Sequence, residues 1–186
     1  MKKITPILLQ AIILLFFTQC HYTKKNIMKH KFSFYTQYNQ FYLADKDGKG
    51  DTGSSNFWTK EALKDKLALE KGIIGVGTQS YGEIRGEIEI LEKPSDNVDY
   101  GLYDHVVEGG IDIKSGELQV LDCPNSHLEL KLKLNPGKYR VRVYGSNFDS
   151  VIEEDLANDT DNDFYKIEIW PDENLERKVL KQYIKK

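Results

Sequence analysis

A run of negative charge is the first candidate for chemistry in this sequence. Residues 149–163 read DSVIEEDLANDTDND, and seven of these fifteen positions are Asp or Glu, with no Lys or Arg among them. Three uses fit such a segment: a cation cage, a solvated loop, or a surface that binds a basic partner. A stretch of this length without turn residues is uncommon in a compact domain unless it is functional.

Binding to a basic partner would relieve an electrostatic cost that this segment carries. Like charges on one loop repel each other, and a basic partner would remove that repulsion and accelerate encounter through complementary charge. We therefore expect a basic protein partner to be contacted by six acids of this run: Glu153, Glu154, Asp155, Asp159, Asp161 and Asp163.

Calcium binding is an alternative for the acidic loops. The segment DKDGKGD at 45–51 places three aspartates around glycines, but Lys49 stands where an EF-hand has Asp or Asn, and Asn56 stands where it has Glu. The alternating acids at 159–163 lack the turn glycine and the distal glutamate. We therefore expect solvated loops with no metal and no cofactor, and keep a loose calcium site as the alternative.

Nucleophilic catalysis has one weak candidate. Cys123 and His127 lie four residues apart around Pro124, and Asp104 precedes His105. A cysteine nucleophile needs a base within hydrogen-bond reach and a third group that orients the base. No serine elbow, phosphate-binding glycine loop or zinc-ligand set occurs in the sequence. The pattern favours a structural thiol and a histidine at a strand end, so no enzyme is expected.

Aromatic residues cluster early in the chain and offer a different kind of site. Such side chains can stack on sugars, although they more often form core and cross-strand pairs. A surface module that binds carbohydrate or calcium is therefore the alternative function. The cluster consists of Tyr35, Tyr38, Phe41, Tyr42, Phe57 and Trp58.

Strands are expected to position these side chains. Apolar and polar residues alternate at 32–44, 82–92, 127–135, 138–145 and 163–171, which is typical of antiparallel sheets with one dry and one wet face. The sequence NPG at 135–137 predicts a hairpin between the two strands that flank it. The predicted fold is all-β: an antiparallel β-sandwich of the jelly-roll type.

Two segments predict helices. Residues 59–72 have apolar residues near helical spacing, begin at a Thr59 cap and stop at Gly72, which predicts a short internal helix. Residues 171–186 place Leu175, Val179 and Tyr183 at successive i+4 positions and end in lysines that suit the helix dipole. These features predict a C-terminal helix.

The N-terminus has the form of an export signal. Residues 1–20 read MKKITPILLQAIILLFFTQC, a charged start followed by an apolar centre that is too short to span a bilayer comfortably. The segment resembles a bacterial lipoprotein signal, whose final cysteine takes the lipid. We predict a signal peptide over 1–20, a tether over 21–30 and a single sandwich domain over 31–186, anchored in the cell envelope through lipid on Cys20. A start at Met28 would instead give a cytoplasmic protein.

The net charge and the number of cysteines limit which ligands and disulfides are expected. The chain of 186 residues carries a net charge of −3, and removal of residues 1–19 takes away two lysines and no acid, which moves the charge to −5. A mildly acidic body argues against nucleic acid as the direct ligand. With Cys20 lipidated, Cys123 has no intramolecular disulfide partner.

Four stretches resemble the competence protein J family: YNQFYLAD at 38–45, FWTKEAL at 57–63, PGKYRVRVY at 136–144 and DFYKIEIWP at 163–171. These proteins are small bacterial inhibitors of a secreted, membrane-associated DNA-entry nuclease. The resemblance covers most of residues 32–172, and the N-terminal signal and the C-terminal helix depart from the family pattern. It implies a non-enzymatic inhibitor, or an immunity protein that guards its own cell against a nuclease toxin. A nuclease cleft is basic because its substrate is a polyphosphate, so an acidic loop can occupy the same field.

Overall fold

The computed structural model describes residues 29–185, which form eleven strands and one α-helix. The strands are β1 (Lys29–Thr36), β2 (Gln40–Asp45), β3 (Leu67–Glu70), β4 (Ile73–Gly77), β5 (Gly82–Ile90), β6 (His105–Ile113), β7 (Glu117–Leu121), β8 (Leu128–Lys133), β9 (Gly137–Ser146), β10 (Phe164–Pro171) and β11 (Lys178–Lys181). The helix is α1 (Lys60–Lys64), and 3₁₀ turns span Tyr100–Leu102 and Phe148–Ser150.

The predicted signal peptide, Cys20, Met28 and most of the tether lie outside the described residues. Strand β1 begins at Lys29, two residues before the predicted start of the domain. Within residues 29–185, no helix has the length and apolar character needed to cross a membrane.

The strands form two sheets. The order is β1-β5-β10-β9-β6-β11 in the six-stranded sheet and β3-β4-β2-β7-β8 in the five-stranded sheet. The prediction of an all-β chain with two sheets is confirmed. Its jelly-roll part is not confirmed, because the sheets have six and five strands and β5 pairs with β10 in parallel. A parallel pair needs a long connection, and residues 91–163 supply it by passing through both sheets.

Inward-facing side chains from both sheets make one hydrophobic core. Ile84 and Ile88 of β5 and Phe41 of β2 are fully buried in it, and full burial of such a side chain contributes about 2 kcal/mol. Between the two isoleucines, Gly86 leaves room for the ring of Phe32, which lies 2.3 Å from where a Cβ would stand. The alternation in the sequence therefore identified the correct face of β5.

The predicted hairpin at NPG is wrong. Strand β8 pairs with β7 in the five-stranded sheet, whereas β9 pairs with β6 and β10 in the six-stranded sheet. The NPG stretch is a corner between the sheets, and the hydroxyl of Tyr139 donates to the carbonyl of Asn135 across it at 2.7 Å. Both strands place an apolar face in the same core, so alternation cannot distinguish a hairpin from a sandwich corner.

The aromatic stretch 32–44 is two strands rather than one. Tyr38 and Asn39 have φ angles of 57° and 52°, and two successive residues in the left-handed region are typical of a tight type I′ turn. The turn sends β1 and β2 into different sheets. Asparagine tolerates this conformation, but a tyrosine adopts it rarely, which is why the sequence did not indicate a turn here.

Helix α1 is shorter than predicted. Thr59 caps it as expected, since its Oγ1 accepts from the N–H of Ala62 at 3.2 Å. The helix ends at Lys64, and residues 67–70, predicted as its second half, form β3 and pair with β4. Pairing satisfies the backbone groups along the edge of β4, which outweighs a weak helical period.

The predicted C-terminal helix is wrong. Residues 178–181 form β11 along the edge of β6, and no helix occurs over 172–185. The three residues at i+4 spacing pack separately: Leu175 over Gly110, Val179 in β11, and Tyr183 against Phe148 with ring centroids 5.1 Å apart. The open edge of β6 offers backbone partners to β11, with an irregularity between Val179 and Lys181, and a short isolated helix has no comparable tertiary support.

A row of charged residues crosses the outer face of all six strands of the larger sheet. Residues directly opposite each other on neighbouring strands share a face. From β1 to β11, the successive partners in register are Lys29, Glu89, Glu168, Arg142, Glu108 and Lys178, which we call the charged row.

Opposite charges compensate each other along the charged row. Glu89 and Glu168 are direct neighbours of like charge, and the ammonium of Lys166 lies 3.4 Å from the first and 2.9 Å from the second. Further along, the Nε of Arg142 donates to Glu108 at 2.7 Å. The central part of the row is therefore a continuous set of ion pairs.

Two segments shield the charged row from solvent. Ser95, in the connection at 91–104, donates to Glu168 at 2.9 Å. Arg140 donates to two carbonyls of the segment 172–177 at 2.9 and 2.7 Å. As a result Glu168 is fully buried.

The protonation of Glu168 links this network to pH. Burial alone raises the pKa of the carboxyl group, but hydrogen bonds from Lys166 and Tyr144 outweigh burial and hold the pKa below its ordinary value. The unfolded chain then binds more protons than the folded chain. Glu168 therefore stabilises the fold at neutral pH, and this contribution is lost as the pH falls through its folded pKa.

We expect Glu168→Ala to lower the free energy of unfolding by about 3 to 5 kcal/mol, because Lys166 and Arg142 would face each other without their shared partner. Glu129→Ala, at an exposed position of β8, is the control and should change it by less than about 0.5 kcal/mol. Urea unfolding followed by circular dichroism measures both. A loss for Glu168→Ala as small as that of the control would contradict the assignment.

Candidate functional site

The acidic segment, residues 149–163, is fastened to the sandwich between β9 and β10. The side chain of Asn39, in the turn between β1 and β2, donates to the carbonyls of Gln79 at 3.2 Å and Glu154 at 2.8 Å. The amide of Gln79 donates to the carboxylate of Glu154 at 2.8 Å. The middle of the segment is therefore held by side chains from two other connections, and it is not a slack loop.

Two of the six predicted contact acids are buried. Asp163 is 3% exposed, and its Oδ2 accepts from the backbone N–H groups of residues 79 and 80 at 3.2 and 3.0 Å and from the hydroxyl of Tyr165 at 2.5 Å. Asp161 is 8% exposed and accepts from the N–H of Asn158 at 3.2 Å. Both carboxylates hold the segment in place and are not presented on the surface.

The other four predicted acids lie on the surface. Glu153, Asp155 and Asp159 are exposed, and Glu154 is half-buried. The ammonium of Lys185 lies 2.9 Å from Glu154, and this hydrogen bond is the main cause that lowers the pKa of Glu154 below its ordinary value. Glu154 is therefore ionised at neutral pH and paired with Lys185, while Glu153, Asp155 and Asp159 present their side chains at the surface.

A pocket of about 290 Å³ opens beside these acids. Tyr38 and Leu63 line it and are large apolar side chains with unusually high exposure, 65% and 60%. Trp58 lines it as well, and Glu154 and Asp155 come from the acidic segment. We call this cavity, which these five residues line together with neighbouring polar residues, the acidic pocket.

Lys66 also lines this cavity, but its charge is engaged inside the protein. Its ammonium donates to the carbonyl of Thr78 at 3.0 Å and lies 5.4 Å from the centre of the Phe148 ring. Burial lowers the pKa of Lys66, although the carboxylates of Glu154 and Asp163 act in the opposite direction. The cation supports the acidic segment from within.

The C-terminal strap, residues 177–185, ties the acidic segment to the rest of the fold. Arg177 donates to the carboxylate of Asp65 at 2.8 Å, directly after α1. The hydroxyl of Tyr183 donates to Asp149 at 3.0 Å, close to the start of the acidic segment. The strap therefore spans the distance between α1 and the acidic segment.

His105 connects the strap to the residue that follows α1, with one ring nitrogen on each side. The backbone N–H of Tyr183 donates to its Nδ1 at 3.2 Å, and its Nε2 lies 2.9 Å from the carbonyl of Asp65. An N–H must donate and a carbonyl must accept, so the ring is neutral with its proton on Nε2. Burial lowers the pKa of His105 below its ordinary value of 6.5.

Cys123 and His127, the candidate catalytic pair, lie in different surroundings. The Cys123 thiol is buried, with the hydroxyl of Tyr42 at 3.3 Å and the amide of Gln40 at 3.0 Å. The ring of His127 is exposed, and its Nδ1 lies 3.4 Å from the carboxylate of Asp122. The thiol therefore serves packing on the outer face of the five-stranded sheet.

The calcium alternative gains no support from the first acidic loop. Asp45 is buried and accepts from the N–H and the hydroxyl of Ser115, while Asp47 and Asp51 are exposed. Within residues 29–185, no three side chains of the His, Cys, Asp and Glu types are grouped so that they could hold a metal ion.

The early aromatic cluster divides between the core and the surface. Phe41, Tyr42 and Phe57 are buried, which is the structural role that aromatic residues more often have. Tyr35 and Tyr38 are exposed, and Trp58 is half-buried. The surface members lie near the acidic segment.

Sequence reasoning missed several residues of this site. Leu63 is one of the apolar residues near helical spacing at 59–72, but the helix ends one residue later and leaves it exposed. Lys185 belongs to the lysines that the sequence places at the end of the predicted C-terminal helix, and a terminal lysine pair is equally suited to the acidic run. Nothing in the sequence indicated that His105 joins α1 to the strap.

Comparison with known proteins identifies a solved structure that has the same fold as this chain. No protein-family model matches the chain, and no curated protein matches its sequence. Among solved structures it is similar to ComJ from Bacillus subtilis, an inhibitor of the DNA-degrading activity of NucA, with a TM-score of 0.58 and 18% sequence identity over 78% of this chain and 98% of ComJ. The two chains share a fold. A second structure, crocagin biosynthetic gene J, has a TM-score of 0.45 and 16% identity over 78% of this chain and 99% of its own.

The neutral state of His105 predicts a dependence of stability on pH. The unfolded histidine binds a proton below its ordinary pKa of 6.5, whereas the buried ring resists protonation. The unfolded chain thus binds more protons, so the free energy of unfolding should fall as the pH drops below that value, by at most about 1.4 kcal/mol per pH unit.

Measurement of unfolding free energies between about pH 5 and pH 7.5 tests this slope, since most carboxylates titrate below that range. His105→Asn should lower stability at the upper end and flatten the slope. His127→Asn, at an exposed position, is the control and is expected to keep the slope. An unaltered slope in His105→Asn would contradict the assignment.

Proposed function

We propose that this protein is a non-enzymatic inhibitor of a DNA-degrading nuclease and that it binds the nuclease through the exposed part of the acidic segment. The observation that carries the proposal is the fold shared with ComJ, which extends over 98% of that inhibitor. The position of Glu153, Asp155 and Asp159 on a segment fastened to the sandwich supports the location of the contact.

Charge explains how such a segment would inhibit. A nuclease binds DNA through positive charge that faces phosphate groups. Carboxylates held at a fixed spacing on a rigid scaffold present the same sign of charge to that cleft, and complementary potentials accelerate association. No bond is made or broken, so inhibition requires only that the carboxylates occupy the cleft.

Fastening of the segment reduces the entropic cost of binding. Ordering a loop on association opposes affinity, and a contact surface that is already fixed avoids this cost. The bonds that Asn39 makes to Gln79 and Glu154, and those that Asp163 accepts, hold the segment before any partner arrives. The two buried acids therefore contribute to binding indirectly.

We expect the triple variant Glu153→Lys, Asp155→Lys and Asp159→Lys to lose inhibition. The association rate with the nuclease should fall at least about tenfold at low salt, because electrostatic steering would be reversed. Surface plasmon resonance with NucA of Bacillus subtilis, and with the secreted nuclease of the producing organism, measures the rate. Digestion of fluorescent DNA by the same nucleases measures the inhibition.

A second triple variant controls for net charge. Asp47→Lys, Asp96→Lys and Glu129→Lys change the charge equally at exposed positions in three other parts of the surface. This variant should retain most of its affinity. Equal losses of affinity in both variants, or unchanged affinity in the first, would contradict the proposed site. If the wild-type protein inhibits neither nuclease, the proposed function is contradicted.

We further propose that lipid on Cys20 anchors the protein in the cell envelope, where it would meet a secreted nuclease. Each buried methylene adds about 0.8 kcal/mol of membrane affinity, and stable anchoring takes two chains, which the diacylglyceryl group of a bacterial lipoprotein would supply. Cys20→Ser should abolish labelling by radioactive palmitate and move the protein from the membrane fraction to the soluble fraction. Mature protein that begins at Met28 would contradict the anchor and favour a cytoplasmic location.

A further inference from the structure

We infer that the acidic pocket receives a single arginine side chain of the partner protein. The inference rests on the proposed function, because it specifies the chemistry of the surface through which a nuclease would bind. The pocket measures about 290 Å³, just below the range typical of small-molecule sites. A cavity of this size can hold one long side chain.

The walls of the pocket have the composition of an interface anchor point. Tyr38 and Leu63 expose most of their surface to solvent, and Trp58 stands beside them. Exposed aromatic residues at a concave site are the side chains that most often dominate binding energy between proteins. Scattered apolar residues would need no such explanation, but these three line the same cavity.

The backbone holds Tyr38 in place at a cost. Its φ of 57° lies in the left-handed region, which costs a residue with a side chain about 1 to 2 kcal/mol. The turn is retained because Asn39, the next residue, donates to Gln79 and Glu154. Strain of this kind persists where surrounding contacts enforce it, and it is concentrated at functional sites. The ring of Tyr38 is thus presented on a fixed support.

The rim of the pocket already binds a cation. The ammonium of Lys185 lies 2.9 Å from the carboxylate of Glu154, so a basic side chain can reach the rim from solvent. Asp155, next to Glu154, lines the same cavity and is exposed. Lys66 directs its ammonium to the carbonyl of Thr78 instead. The accessible rim therefore carries the exposed carboxylate of Asp155 and that of Glu154, whose surface ion pair with Lys185 an incoming guanidinium would replace.

Arginine fits these features better than lysine. Its planar guanidinium stacks on aromatic faces and can bond two carboxylates at once. Tyr38 and Trp58 supply the aromatic faces, and Glu154 and Asp155 supply the carboxylates. A lysine ammonium would satisfy only the charge.

The test uses the full-length protein and a blocked Gly-Arg-Gly tripeptide as the probe. The chain contains two tryptophans, so its ¹H–¹⁵N spectrum has two indole N–H signals. Trp58 lines the pocket, and Trp170 is buried in the larger sheet with the Arg142 guanidinium 5.0 Å from its ring centre. We expect the peptide to shift the Trp58 signal saturably and to leave the Trp170 signal in place. The matched Gly-citrulline-Gly peptide, which has the same shape without the charge, should shift neither.

Variants locate the binding in the pocket. Tyr38→Asn removes the ring with a residue that tolerates the left-handed conformation, so the turn is kept, and Asp155→Asn removes one rim charge. Each should weaken the peptide about threefold or more. Tyr35→Thr and Asp47→Asn are the matched controls, since both positions are exposed but do not line the pocket. Equal shifts with citrulline, a static Trp58 signal, or wild-type affinity in Tyr38→Asn would overturn the inference.

Nuclease binding separates this inference from the proposed function. If the arginine peptide binds as expected and no nuclease is inhibited, the pocket assignment stands and the proposed function fails. If nuclease inhibition is present and Tyr38→Asn inhibits as well as wild type, the pocket assignment fails and the proposed function stands. If both assignments hold, Tyr38→Asn should dissociate from the nuclease at least about threefold faster.

Discussion

The charged row across the six-stranded sheet is the constraint on which the rest of the structure depends. A shift of one residue in any of its strands would place a charge in the core and an apolar residue outside. Glu168 and Arg142 lie at its centre, and both are buried. Burial of ion pairs contributes little net stability, but loss of one partner is strongly unfavourable. We infer that the row specifies strand order and register more than it adds to the free energy of folding.

The segments that join the strands of the charged row also build the candidate site. The segment whose carbonyls bind Arg140 leads into the C-terminal strap, which contains β11. The strap binds His105 and ends at Lys185, beside Glu154. Strands β9 and β10, neighbours in the charged row, are joined by the acidic segment itself. The site therefore lies where the two sheets, α1 and the strap meet, and each of these elements is fixed by contacts elsewhere.

Much of the fold could be predicted because one face of most strands is dry. The alternation in β5 and β10 identified the inward residues correctly, and the Thr59 cap marked the start of α1. Periodicity does not show which strands pair, so it cannot distinguish a sandwich corner from a hairpin. It also failed at Leu175, Val179 and Tyr183, where the edge of β6 imposed a strand on a helical spacing. Tertiary hydrogen bonding outweighs local propensity at such an edge.

The acidic segment shows how one stretch of like charge can serve two purposes. Asp161 and Asp163 are buried, and they continue the every-second-residue pattern of the buried side chains of Tyr165 and Ile167. They therefore extend the inward face of β10 ahead of the first residue of the strand. That signal was present in the sequence, but a run of acids suggested a uniform surface. Donors around Asp163 offset the repulsion that would otherwise push the segment outward. Because the inward acids fix the backbone, the outward acids are presented from a segment that is already ordered, which is the condition for a preorganised site that binds a basic partner.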